Sequence, residues 1–386
     1  MIIKNGKIFD VNNGFIDADV VIVDDKIEYV GTETDKNNSI AGGTSSVNDI
    51  DASGFFVIPG LTDIHFHGCV GHDFCEGDIE ALNLMAEYEL SQGITTICPA
   101  SMTFDEDKLT KIFENAKLHD NRKGAELVGI NMEGPFISYE KRGAQNPEYI
   151  HKPNAEMFFR LQEAAGGLVK LVDIAPEVEG AMECIEKIAD FVHVSVAHTT
   201  ADYETTMKAF EKGADHVTHL YNAMPPFHHR KPGVIGATCD CEKAYAELIC
   251  DGVHSEPATV RTTLKMLGDD RLVFISDSME ACGMPDGEYE LGGQPVTVKG
   301  NLATLHDGTI AGSATNLMDC VRVAVKKMNV PLATAVKCAA VNSAKSIGVF
   351  DKYGSLEKGK IANIVMLDEN LKLKYIIKNG EVVYKF

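Results

Sequence analysis

Between residue 57 and about residue 350, short apolar runs alternate with helix-like stretches, and no other feature of the chain limits its fold so narrowly. The apolar runs are "LTDIHFHG", "ITTICPA", "ELVGINMEG", "VKLVDIAPE", "VHVSVAH", "HVTHL", "YAELICDG" and "LVFISD". Helical patterns such as "DIEALNLMAEYELSQG" and "ADYETTMKAFEKG" separate most of them. Eight strands with intervening helices predict an α/β fold of the (β/α)8 barrel type, with an open α/β sheet as the alternative. Barrel chemistry sits at the C-terminal ends of the strands, so the residues found there decide between the two.

The two chain ends have a different texture. The opening reads as short strands separated by turns, "MIIKNGKIFD", "ADVVIVDDKIEYVG" and "VNDIDASGFFVIPG", with the polar stretch "DKNNSIAGGTSS" among them. The same texture returns in "IANIVMLDENLKLKYIIKNGEVVYKF", whose "YIIKNGEVVY" echoes the opening "MIIKNGKIFD". The expectation is one small β domain built from residues 1–56 and 351–386, with a barrel of residues 57–350 inserted between its halves.

Unusual polar residues fall where the apolar runs end. His65 and His67 close the first, Glu133 the third, His198 the fifth, His219 the sixth, Asp251 the seventh and Asp277 the eighth. His65 and His67 are two apart, a spacing that puts both imidazoles on one side of an extended strand, where they could bind one ion. Two surface histidines are the other reading of the same motif. Glu133, His198 and His219 add a carboxylate and two imidazoles, a set that suits Zn2+ or Fe2+ with a position left open for water. Asp277 stands where it can take a proton from an activated water and return it to a leaving group, though an Asp there also caps a following segment. His72, His119, His151, His193, His216 and His306 read as packing or surface residues. The chain has no GxSxG elbow, no Cys/His signature, no phosphate loop of the GxxxxGK[ST] type and no early GxGxxG. Metal-assisted hydrolysis is the class that remains.

Charge bears on the ligand. With 36 Lys plus Arg against 57 Asp plus Glu, a formal charge of −21, general attraction to nucleic acid or to an anionic membrane is disfavoured. A small anionic ligand then needs a local basic pocket. "THLYNAMPPFHHRKPG" offers Arg230, whose planar fork matches phosphate, while His228 and Lys231 read as a solvated loop. The ten cysteines are scattered, several within apolar runs, as reduced core thiols are; Cys239 and Cys241 form a CxC without a partner pair. No basic, apolar and cleavage-site sequence opens the chain and no apolar run reaches spanning length, so a cytoplasmic protein is expected.

"VIPGLTDIHFHG" resembles the opening of the amidohydrolase superfamily, and the flanking β segments resemble its small β-sandwich domain. "MEGPF", "RGAQNPEY", "AHTTA", "THLYNAMPP", "CDGVHSEP", "SDSMEACG" and "IAGSA" are similar, in the same order, to the motifs of the N-acetylglucosamine-6-phosphate deacetylase family. The resemblance implies release of acetate from that sugar phosphate to leave glucosamine 6-phosphate. It implies metal ligation by Glu133, His198 and His219, and acid/base duty for Asp277. His65 and His67 add a second metal position, so one or two ions per subunit, Zn2+ or Fe2+, are expected. Substrate recognition is implied for Ala144, Gln145, Asn222, Ala223, Arg230, His254, Ile310, Ala311 and Gly312. In the family the residue matching His254 comes from the neighbouring subunit, which implies a homodimer. Gln145 departs from the His common at its position, and an amide can hydrogen-bond but not carry charge. The alternatives are a deacetylase for the galactosamine isomer, a cyclic amidase with a carbamylated lysine, and a metal-free scaffold of the same fold. Glu133 at the bridging position opposes the second, and the retained ligands oppose the third.

Overall fold

The computed structural model describes residues 1–32 and 49–386; the polar stretch "DKNNSIAGGTSS" lies outside them. All eight apolar runs form strands: β1 (Leu61–Asp63), β2 (Ile94–Ile97), β3 in two segments (Glu126–Leu127 and Ile130–Met132), β4 (Val169–Ile174), β5 (His193–Val196), β6 (His216–Val217), β7 (Tyr245–Ile249) and β8 (Leu272–Ile275). A helix follows each: α1 (Ile79–Ser91), α2 (Glu106–Ala116), α3 (Ala155–Ala164), α4 (Ala181–Ile188), α5 (Tyr203–Glu211), α6 (Gly233–Asp240), α7 (Pro257–Leu267) and α8 (Leu317–Lys326). Side chains of Asp78, Asp105, Asn154, Asp202 and Asn316 accept the first free N–H groups of five of these helices, which is why they start where they do.

Every neighbouring pair from β1 to β8 is parallel. β2 and β8 are buried along their whole length, as strands covered on both faces must be. Ala100 bridges Asn131 between the second and third strands. Beyond the last strand the Asp277 N–H donates to the His65 carbonyl at 2.9 Å, and the His67 N–H to the Ser278 carbonyl at 2.7 Å. These bonds close the ring, so the architecture is a barrel and not an open sheet.

The chain ends meet in one eight-stranded sheet. Its order runs from Glu381–Lys385 through Leu373–Lys378, Ile364–Leu367, Phe56–Pro59, Ile2–Asp10 and Gly14–Val23 to Lys26–Gly31, with Ile50–Asp51 also paired to Ile2–Asp10. The echoing end segments thus share a sheet without touching; Phe56–Pro59 and Ile364–Leu367 join them. The expected boundary after residue 56 would divide Phe56–Pro59, yet that strand lies wholly in this sheet, because its ladder partners are there. Ile3, Ile8, Val20, Ile27, Val57, Ile364 and Ile377 give the sheet an apolar cluster of its own. A three-stranded antiparallel meander, Gly287–Leu291, Gln294–Lys299 and Leu302–Thr304, stands between β8 and α8, and the sequence reading did not anticipate it. Among the described residues no helix is long and apolar enough to cross a membrane.

Gly60 is the step from the end sheet into β1. A Cβ there would lie 2.1 Å from Thr95 Oγ1 and 2.4 Å from Thr95 Cγ2, and Thr95 is buried. Gly60→Ala is therefore expected to lower stability by about 1–3 kcal/mol, and by less in a Thr95→Ala background, as read from urea unfolding midpoints.

Candidate metal centre

His65, His198, His219, Asp251 and Asp277 each stand two residues past the end of a barrel strand, and Glu133 directly follows β3. At these positions the extended backbone turns over the rim. His198, His219 and Asp277 do so at φ of 41°, 27° and 50°, a left-handed conformation that costs a non-glycine residue about 1–3 kcal/mol and persists only where the surroundings impose it. The turn aims all of these side chains but that of Asp251 at one point.

Glu133 occupies that point. Its Oε1 lies 3.0 Å from His198 Nε2, 3.2 Å from His219 Nε2 and 3.6 Å from His65 Nε2, while its Oε2 lies 3.4 Å from His67 Nε2. Asp277 Oδ1 is 3.3 Å from His67 Nε2 and 3.7 Å from His65 Nε2. All six side chains are buried. Burial alone would raise the Glu133 carboxyl, but His198, His219 and His65 hold it well below the usual carboxylate range. Burial works against Asp277 in the same way, and His67 and His65 keep it low. Both acids are thus anions at neutral pH.

The proton assignments show what these residues are built to hold. His198 Nδ1 donates to the Lys141 carbonyl at 2.8 Å, so Nε2 is the nitrogen that can offer a lone pair to a cation. That lone pair faces the acceptor oxygen of Glu133 and also lies 3.1 Å from His219 Nε2. His65 repeats the pattern: Nδ1 donates to Glu247 at 2.9 Å, and the buried Nε2 has no hydrogen-bond partner. Acceptor atoms so close together need a cation, a proton or a metal ion, between them. Two overlapping triads fit one, His65 with His67 and Glu133, and Glu133 with His198 and His219. Three-residue sets of this kind, with an open position, are what hydrolytic metal sites use.

A cleft of about 390 Å³ opens above the centre, within the range of roughly 300–1,000 Å³ usual for small ligands. Ala144, Gln145, Asn222, Ala223, His254, Ile310 and Gly312 line it with the acids and imidazoles. Ala311 lies behind, buried, its N–H tied to the Ala303 carbonyl. The Ser313 N–H donates to the Asp277 carbonyl at 2.7 Å, so the segment after the meander runs beside the catalytic candidate. Gln145 turns inward: its carbonyl accepts from the Thr103 N–H at 2.7 Å and its amide donates to Glu133 Oε2 at 2.5 Å.

Within the single chain two residues stand apart from what was expected. Arg230 does not reach the cleft; it is exposed, packs on His229 and borders a separate hollow with Asp202, Tyr203 and Asp240. The six residues after Asn222 and Ala223 carry the chain outward, so nearness in sequence did not become nearness to the centre. His254, expected to serve a neighbouring subunit, lines the cleft of its own chain. Asp251 holds it there, accepting its Nδ1–H at 2.8 Å. Burial works against a charged His254 ring, but this carboxylate raises it above the ordinary imidazole range.

Glu247 was missed, and His216, read as a packing or surface residue, is buried against it. Glu247 is fully buried within β7, and its carboxylate meets His65, His216 and the backbone N–H of His219. The signal was a charged residue inside the apolar run "YAELI".

The amidohydrolase family matches residues 56–383 of the chain. Over 393 aligned residues the chain is 36% identical to the N-acetylglucosamine-6-phosphate deacetylase of Bacillus subtilis (strain 168), covering 100% of this chain and 97% of that protein. It is 32% identical over 340 residues to the N-acetylgalactosamine-6-phosphate deacetylase of Escherichia coli O157:H7, covering 87% of this chain and 89% of the other. Among solved structures it superposes on a mutant N-acetyl-D-glucosamine-6-phosphate deacetylase from Mycobacterium smegmatis in complex with N-acetyl-D-glucosamine-6-phosphate, with a TM-score of 0.90 at 29% identity, covering 100% of this chain and 99% of that one. It also superposes on the N-acetylglucosamine-6-phosphate deacetylase from Thermotoga maritima, with a TM-score of 0.87 at 30% identity and full coverage of both chains.

Chelator-treated protein is expected to take up a divalent cation stoichiometrically and to melt at a higher temperature once loaded. Glu133→Ala, which removes the group shared by both triads, is expected to abolish that uptake, as measured by elemental analysis after gel filtration.

Proposed function

The chain belongs to the amidohydrolase family, and on that premise we propose that it hydrolyses the N-acetyl group of N-acetylglucosamine 6-phosphate, releasing acetate and glucosamine 6-phosphate. One observation carries the reading. Glu133, His198, His219 and Asp277 converge in a single cleft, in a chain that aligns from end to end with deacetylases of this substrate. His65 and His67 are proposed as the remaining ligands of a second ion. Imidazole and carboxylate donors favour Zn2+ or Fe2+ without choosing between them.

A bound cation supplies Lewis acidity, which lets water attack near neutral pH and draws charge onto the acetyl oxygen. The rest belongs to the chain. Asp277, held as an anion at the rim, accepts a proton from the attacking water as its oxygen bonds to the acetyl carbon. When the carbon–nitrogen bond breaks, Asp277 returns that proton to the sugar nitrogen, which leaves as the amine. Asn222, Ala223, Ala144, Ile310 and Gly312 are proposed to seat the sugar from the cleft walls, with Ala311 shaping the wall from behind. Gln145 has one amide hydrogen left for the substrate after serving Glu133 and Thr103.

For the phosphate, His254 is proposed first, since a cationic ring held by a buried carboxylate suits a charge-assisted hydrogen bond. A homodimer is proposed from the family resemblance alone, and in it Arg230 of a second copy would meet the same phosphate. A phosphorylated sugar does not cross membranes unaided, which supports a cytoplasmic location.

Acetate release is expected from the phosphorylated sugar and little from its unphosphorylated form. A faster rate on the galactosamine isomer would change the sugar assigned and leave the chemistry standing. Asp277→Asn is expected to cut kcat by about 10²–10⁴-fold with metal content unchanged, and near-normal turnover would refute its role. Loss of a charge-assisted contact worth about 1.5–3 kcal/mol in His254→Gln should raise KM roughly 10- to 100-fold, with a smaller change in kcat.

A further inference from the structure

We propose that Glu247 is the positioning residue that makes the His65 side of the centre able to hold a cation, and that it ties this side to the His219 side. The inference rests on the reading of the centre as metal-binding. Glu247 lies inside β7, fully buried, with apolar neighbours along the strand. A carboxylate so placed persists only if each oxygen is satisfied. Here three donors do so, and none belongs to a lysine or arginine. Oε2 accepts from His65 Nδ1 at 2.9 Å and from the His219 N–H at 3.1 Å, and Oε1 accepts from His216 Nε2 at 3.1 Å.

The first contact decides how His65 presents itself. With Nδ1 donating to Glu247, Nε2 is the nitrogen left to offer a lone pair to a cation, and it faces Glu133 and Asp277. Of the four imidazoles in the two triads, two have the ring nitrogen away from the centre in a hydrogen bond. His198 uses the Lys141 carbonyl, a piece of backbone; His65 uses Glu247 alone. The outer nitrogens of His67 and His219 have no hydrogen-bond partner among the described residues. The orientation of His65 therefore depends on one side chain.

The second contact acts on the other triad. His219 takes its position at a φ of 27°, and the Glu247 carboxylate binds the N–H of that residue. One carboxylate thereby sets the tautomer of a ligand in one triad and the backbone of a ligand in the other. His216, stacked on Tyr245 at 30° between ring planes, braces the carboxylate from behind. An apolar residue in β7 would close the barrel equally well; it would leave His65 free to rotate or to take the other tautomer.

The test is Glu247→Gln in the full chain, stripped with chelator and titrated with Co2+, followed by elemental analysis and by the visible absorption of the bound ion. Wild-type protein is expected to bind two ions per chain. The variant should bind the ion on the His65 side roughly 10–100-fold more weakly and the ion on the His219 side with a smaller loss, with an altered spectrum. Thermal unfolding of the metal-free proteins separates damage to the fold from loss of the ion. His65→Ala supplies the second arm: if Glu247 acts through His65, adding Glu247→Gln to that variant weakens Co2+ binding little further. Unchanged titrations in Glu247→Gln, or an equal extra loss in the His65→Ala background, would overturn the inference. A wild-type chain that bound a single ion would also overturn it while leaving the metal centre standing. Only failure of the wild type to bind any ion would remove the centre itself.

Discussion

Closure of the barrel between its first and last strands is the constraint on which the rest depends. The hydrogen bonds from the Asp277 N–H to the His65 carbonyl and from the His67 N–H to the Ser278 carbonyl are made at the rim, and the side chains of His65, His67 and Asp277 enter the centre. Ring closure and assembly of the site are one event. An open sheet of the same eight strands would leave His65 and Asp277 on opposite edges, with the second triad separated from the acid expected to serve it.

Closure also gathers charge where the solvent cannot screen it. Glu133, Asp277, Glu247 and Asp173 are all buried, and among the described residues no lysine or arginine forms an ion pair with them. Imidazoles and backbone N–H groups answer for most of this negative charge. Burial pushes Asp173 well above the carboxylate range, while His65 and His216 pull the equally buried Glu247 down to about 2. The barrel interior thus sorts its acids by the company each keeps, and the two that face the cleft are held as anions.

Much of this was legible in one dimension. Eight apolar runs at helix-length spacing give the barrel because strands buried on both faces carry mostly apolar residues, and polar residues at their ends then stand out. Glu133, His198, His219 and Asp277 were found that way. The meander from Gly287 to Thr304 was not, since its strands carry the weak alternation of a half-exposed sheet, and Leu291 and Gln294 reach the cleft from it. Gln145 was read as a substrate contact; its amide serves Glu133, and only the approach of Thr103 fixes which end of the amide points where.

The alternation of strands and helices and the polar residues at the strand ends were determined by the sequence alone, because each depends on local pattern and on how far a side chain lies from the end of a strand. The tertiary structure alone decided the partners. It turned His254 toward its own cleft through Asp251, left Arg230 outside, and brought Glu247 from β7 under His65 from β1, a contact between residues 182 positions apart. A hydrogen bond between strands that meet only when the ring closes leaves no periodicity in the chain, so residue type can announce that a buried charge needs a partner but not which partner it will find.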